Sequence, residues 1–140
     1  MERVQITLPS AFAFSTQITV QIGDINYGQH LSNDAVLRLC HEARLRFLQA
    51  HAYHEMDVEG RGLIIADAAI KFMSQAFHGD VLTFNVAVGN IGRAGFALFT
   101  QIVNASKKIE IARVKNGMVF FDYTQQTTAE TPDAFREKFS

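Results

Sequence analysis

Residues 32–51 read SNDAVLRLCHEARLRFLQAH, and the spacing of their apolar positions decides the fold. Val36, Leu39, Cys40, Ala43, Phe47 and Ala50 recur at steps of three and four, the period of an amphipathic helix. Leu37, Leu45 and Leu48 widen that stripe until the helix is apolar on most sides. Such a helix needs cover from more than one direction, and a curved sheet can provide it. Ser32 stands at the N-cap position and Asp34 in the first turn, where a negative charge meets the positive end of the helix dipole. The spacing predicts one long helix, Ser32–His51.

Upstream of the helix the period is two. Phe12, Phe14, Ile18, Val20 and Ile22 share one parity with Thr16, and Ala13, Ser15, Gln17, Thr19 and Gln21 share the other. Ala11–Ile22 therefore reads as a strand with one buried face. Val4–Leu8 is a further candidate edge strand, ended by Pro9. Downstream, Leu63–Ser74, Val81–Gly89, Phe96–Asn104 and Ile109–Tyr123 are rich in Val, Ile, Phe and Ala. The turns between them (His78-Gly79-Asp80, Asn90-Ile91-Gly92-Arg93 and Ser106-Lys107-Lys108) are short enough to favour antiparallel hairpins and hence a four-strand meander. Thr131–Phe139 reads as a short terminal helix with Thr131 as cap and Pro132 at its first position. The expected architecture is α+β, a single domain over residues 1–140, with one long helix on a five-stranded antiparallel sheet. One helix leaves a sheet edge and part of a face uncovered, and a homo-oligomer, dimer or tetramer, would cover them.

Composition narrows the function. The chain has 140 residues, 48% of them hydrophobic and 19% charged, enough for a packed core in one domain. Lys and Arg number 13 against 14 Asp and Glu, a net charge of -1, which gives no electrostatic footprint for nucleic acid. There is no apolar run long enough to span a membrane. Met1–Gln5 carries no apolar leader stretch, and the single cysteine, Cys40, can form no internal disulfide, so a cytoplasmic location is expected. No metal or other cofactor is expected: one cysteine builds no zinc site, and the His51 and His54 pair lacks a completing pattern such as H-E-x-x-H.

The segment Gly23-Asp24-Ile25-Asn26-Tyr27-Gly28-Gln29-His30-Leu31-Ser32-Asn33 gathers the chemistry. It holds the Asp24 carboxylate, the His30 imidazole and the amides of Asn26 and Asn33, and it runs into a helix N-terminus, whose free N–H groups polarise a carbonyl or hold an anion. Water could be activated beside that carbonyl. The competing reading is a tight turn in which Asp24 and Asn26 satisfy the backbone and His30 is simply packed.

Asp24, Asn26, Gly28, His30, Leu31 and Asn33 resemble the loop of the hot-dog-fold acyl-CoA thioesterases, in the group that includes 4-hydroxybenzoyl-CoA thioesterase, and that of acyl-carrier-protein thioesterases. Glu42-Ala43-Arg44 is similar to the E-A-R of that group's central helix, and Phe77-His78-Gly79-Asp80 to its F/Y-x-G-D turn. The resemblance covers roughly residues 12 to 124. It implies the hot-dog fold, a long helix wrapped by the sheet, with dimers that build active sites at their interface. It also implies hydrolysis of an acyl-CoA or acyl-carrier thioester to acid and thiol without metal. The group's second loop aspartate is replaced by Asn26, which has no basic lone pair. A base must then come from Asp24, His30 or Glu42, with Asp24 the first expectation.

Gly28, Ser32 and Asn33 are expected to border the substrate, with the N–H groups around Ser32 and Asn33 facing the thioester oxygen. Among the basic residues of the sheet region, Arg93 is the preferred contact for the phosphates of coenzyme A. Glu42 has a second reading as the partner of Arg46 at i+4. Cys40, on the apolar stripe, reads as a core thiol. The alternative to an enzyme is a non-catalytic acyl-thioester binding module or an assembly domain of the same fold.

Overall fold

The structure, a computed structural model, describes residues 2–140. Its elements are β1 (Phe14–Thr19), α1 (Asn33–Ala50), β2 (Gly62–Phe72), β3 (Val81–Gly89), β4 (Gly95–Asn104), β5 (Glu110–Asp122), β6 (Thr127–Thr128) and α2 (Asp133–Phe139). Five strands form one antiparallel sheet in the order β1-β3-β4-β5-β2, and the two-residue β6 adds to β5. The wide apolar stripe of α1 finds the cover it requires. Val36, Leu39, Cys40, Ala43, Phe47 and Leu48 join Phe84, Val86, Leu98, Ile102, Val114, Met118 and Phe120 of the sheet in one buried cluster. Each large side chain fully buried there contributes about 1.5–3 kcal/mol. A long helix enclosed by an antiparallel sheet is the hot-dog arrangement.

The sheet is not a simple meander, because β2 pairs with β5 and not with β3. His78-Gly79-Asp80 therefore ends a crossing between opposite parts of the sheet instead of closing a hairpin. Three inter-strand gaps of about 4.8 Å separate β2 from β3. Residues 73–80 can reach roughly 26 Å when extended, ample for the passage. On the way, Ala76 is buried and its carbonyl accepts the Leu31 N–H at 2.7 Å. The crossing segment is thereby fastened to the loop ahead of α1.

Other expectations shift at their ends. β1 is shorter than Ala11–Ile22, and Phe12 and Ile22 lie exposed beyond it. Val20 keeps its buried place while leaving the ladder, donating to the Asp80 carbonyl at 2.9 Å. Val4–Leu8 is not a strand. It runs over the outer face of the sheet, where Ile6 packs on Ala87, Ala97 and Phe99 and the Arg113 guanidinium donates to the Ile6 carbonyl at 2.9 Å. At the terminal helix Pro132, not Thr131, holds the N-cap position. The Thr131 hydroxyl instead accepts from the Gly95 N–H at 3.0 Å and donates to the Gly92 carbonyl at 2.7 Å, tying α2 to the β3–β4 turn. Cys40 is buried, and that burial pushes its thiol up to about 12, as befits a core group.

Candidate active site

The loop between β1 and α1 folds back on itself. A short 3-10 turn covers Ile22–Asp24, and Ile25 then bridges to Leu31. The Asn26 N–H donates to the His30 carbonyl at 3.0 Å and the Gln29 N–H to the Asn26 carbonyl at 2.9 Å, with Gln29 at a φ of 67°. The Asn26 side-chain oxygen accepts the Gly28 N–H at 2.9 Å. A Cβ on Gly28 would stand 3.1 Å from Asn26 Oδ1 and 3.3 Å from His30 Nε2. Glycine is what lets the amide and the imidazole converge over this turn.

Asp24 is buried, and both carboxylate oxygens are engaged. Oδ2 accepts the Gln21 N–H at 2.9 Å and Oδ1 pairs with the Arg38 guanidinium at 3.2 Å. Its backbone carbonyl takes the Ser32 N–H at 2.9 Å. Ser32 therefore has no free N–H for a substrate. Its hydroxyl turns to Asp34, whose carboxyl is held below its usual value by that bond and by the N–H groups of Asp34 and Ala35. The Asn33 N–H is left without a partner among the described residues.

A cleft of about 230 Å³ opens at this helix start. His30, Leu31, Asn33 and Val36 form one wall, and Phe72–Ala76 with Ile111 form the other. His30 is half-buried there, and its Nδ1 lies 3.2 Å from the Leu31 carbonyl. A proton on Nδ1 satisfies that carbonyl and leaves the Nε2 lone pair free. The cleft thus combines an imidazole, a free first-turn N–H and apolar walls.

The expected residues divide by position. Asp24, Asn26, Gly28, His30, Ser32 and Asn33 come together at the start of α1. Glu42 lies two turns along the helix, exposed, and accepts from Arg46 Nε at 2.7 Å; Arg46 in turn donates to Thr16 Oγ1 and the Gln17 carbonyl, each at 2.9 Å. Arg93 sits in the β3–β4 turn, at the opposite end of the sheet from the cleft, where it faces Glu130 at 3.5 Å. The Lys107–Lys108 turn between β4 and β5 is at the cleft's end. His51 is packed between Phe47 and Phe139, and burial, with Lys138 nearby, lowers its pKa. Sequence reasoning missed Arg38, the partner of Asp24, and the wall formed by Ser74–Ala76. The i,i+4 pattern pointed to Glu42 and Arg46, but no local signal marks a partner across fourteen residues.

The described residues match the thioesterase-like superfamily over residues 20–139. No curated protein matches the chain by sequence. Among solved structures, a 1,4-dihydroxy-2-naphthoyl-CoA thioesterase from Synechocystis superposes with a TM-score of 0.80 at 21% identity, covering 90% of this chain and 94% of its own. A thioesterase-superfamily protein from Jannaschia gives 0.82 at 17% identity, covering 94% and 83%. A gentisyl-coenzyme A thioesterase gives 0.78 at 16%, covering 91% and 100%. At these identities the likeness to each is one of fold. The match over most of its length places the chain in the thioesterase-like superfamily.

Proposed function

We propose that this protein hydrolyses acyl-CoA thioesters to a free acid and coenzyme A. The observation that carries the reading is the meeting of His30, the unpaired Asn33 N–H and apolar walls in one cleft at the start of α1, in a chain of this superfamily. The thioester carbonyl lies with its oxygen toward the Asn33 N–H. Water gives a proton to His30 Nε2 as its oxygen attacks the carbonyl carbon, and the Asn26 amide, 2.9 Å from the Gly28 N–H, holds the turn that carries His30. The tetrahedral intermediate puts negative charge on the former carbonyl oxygen, where the N–H and the helix dipole stabilise it without reorganising. Breaking the C–S bond expels the thiolate, which takes the proton back from His30.

Asp24 is the rival base. Both its oxygens have partners and it does not line the cleft, which is why His30 is preferred. Asp24 then anchors the loop and Arg38. The exposed Lys107–Lys108 turn, and not Arg93 of the same subunit, is assigned to the phosphates of coenzyme A. The functional unit is a homodimer joined along β2. Ile64–Ala68 are exposed on both faces of that edge strand, and exposed Leu37, Phe72 and Met73 extend the apolar surface beside it.

The test is thiol release from a panel of acyl-CoAs, followed with Ellman's reagent. Turnover that disappears in His30→Gln supports the reading. Tight acyl-CoA binding with no release by the wild-type protein would make it a binding module instead.

A further inference from the structure

The inward row of β5 runs Ala112, Val114, Asn116, Met118 and Phe120, all buried, so a single amide interrupts an apolar row. Across from it, the buried residues of α1 are apolar except Arg44, which is 5% exposed. Among the described residues the Asn116 amide makes no hydrogen bond. Arg44 uses only Nε, on Glu55 at 3.3 Å. Yet no buried polar side-chain atom of the described residues is sealed away without a partner. The Asn116 amide and the terminal fork of Arg44 therefore each keep a small opening, although Asn116 is only 2% exposed.

Both line a second cleft, about 270 Å³, between α1 and β2. Its polar lining is Arg38, His41, Arg44 and Asn116, and it contains no carboxylate. The acids that balance these groups stand behind them: Asp24 on Arg38 at 3.2 Å, Glu55 on His41 at 2.8 Å and on Arg44. Leu37, Ile65 and Ala68 supply the apolar part, so the cleft opens beside the proposed dimer face along β2. Ala68 is the register partner of Asn116, and its small side chain leaves room beside the amide. The two clefts share no lining residue, but Leu37 here follows Val36 there along α1 and Ala68 precedes Phe72 by four residues along β2. Arg44 lies roughly 16 Å along the axis from Asn33, its side chain leaning back toward the helix start.

A fork of two parallel N–H donors matches the two oxygens of a carboxylate, and the Asn116 amide adds a third donor. We infer that this second cleft binds a carboxylate at the far end of the acyl chain, so that the preferred substrates are thioesters of dicarboxylic acids. The inference rests on the thioesterase reading for the other end of the same molecule.

The experiment compares kcat/KM for suberyl-CoA and octanoyl-CoA, which differ only in a terminal carboxylate, on the wild-type protein, Arg44→Gln and Asn116→Leu. Asn116→Leu completes the apolar row with a side chain of similar size, so it keeps the fold even if Arg44→Gln does not. The wild type is expected to prefer suberyl-CoA at least tenfold, and both variants to lose that preference. Equal rates on the two substrates, or a preference that survives in Asn116→Leu, overturns the assignment. Calorimetric binding of free suberate against octanamide, an eight-carbon chain with no carboxylate, separates the two ideas. If no thioester is cleaved but suberate binds the wild type and not Asn116→Leu, the hydrolase reading fails and the carboxylate site stands. If thioesters are cleaved and suberate binds no better than octanamide, the carboxylate site fails alone.

Discussion

The two flanks of α1 are built differently. Toward β1 the helix is shut: Arg46 ties it to Thr16 and Gln17, Glu42 steadies Arg46, and Phe47 meets Phe14 with ring centroids 6.0 Å apart. Toward β2 the same helix leaves two clefts, with half-buried His30 at its start and buried Arg44 farther on. The shut flank spends its polar groups on one another. The open flank holds polar groups whose hydrogen-bonding capacity is only partly used, and that spare capacity is what a ligand can take up. On this account Glu42, despite its carboxylate, belongs to the structure, and His30 to the chemistry.

The strongest way to break the contrast is to remove one polar group from each flank. His30→Gln is expected to lower kcat by roughly 10²–10⁴-fold, the usual worth of general acid–base catalysis, with the fold intact by circular dichroism. Glu42→Gln should leave kcat within about twofold, losing only an exposed pair. The opposite pattern, turnover lost with Glu42 and kept without His30, would place the base on the shut flank. Asp24→Asn should cost less than His30→Gln and lower thermal stability, because it frees Arg38 and loosens the loop.

Next in size is the packing of the shut flank. Phe47 is fully buried and touches Phe14, His51 and Phe139, so Phe47→Ala should cost about 3–5 kcal/mol in urea unfolding. A truncation on the open flank, Leu37→Ala, removes part of an exposed side chain and should cost well under half as much in the monomer. A smaller effect is expected at the β2 edge. Ile65→Lys places a charge in the middle of the exposed strand and should weaken the dimer at least tenfold in sedimentation, with the monomer still folded. Wild-type protein that sediments as a monomer at micromolar concentration would refute the dimer.

How much of this contrast shows in the sequence depends on distance along the chain. The helix is legible because Val36, Leu39, Cys40, Ala43 and Phe47 carry its period within a few turns. The loop is legible because Asp24, Asn26, Gly28 and His30 concentrate polar chemistry ahead of a helix start. The crossing of residues 73–80 is not, since antiparallel strands read the same locally whether or not they are neighbours. Asp24 reads as a free carboxylate until Arg38, one turn into the helix, is seen to claim it. Asn116 is the instructive miss. Period-two alternation marks its position as buried, but only the opposing Ala68 and Arg44 show that its amide opens on a cleft.

The smallest effect belongs to the outer face of the sheet, away from both flanks. The Arg113 guanidinium, 2.6 Å from Glu110, holds that carboxyl below its ordinary 4.5. A depressed folded-state pKa makes the contribution complete above pH 4.5 and removes it as pH falls through the folded value. The pair is partly exposed, so only about 0.2–1 kcal/mol should be lost on acidification, and Arg113→Met should abolish that loss in thermal unfolding followed against pH.

The central claim is that the thioester reacts at the start of α1, on the open flank. A crystal structure with a non-hydrolysable acyl-CoA analogue, in which a methylene replaces the thioester sulfur and the carbonyl remains as a ketone, tests it most directly. The carbonyl oxygen is expected within about 3.1 Å of the Asn33 nitrogen and the reacting carbon beside His30 Nε2, one water away. An analogue seated with its carbonyl against Glu42 and β1, or at the Arg93 end of the sheet, would contradict it.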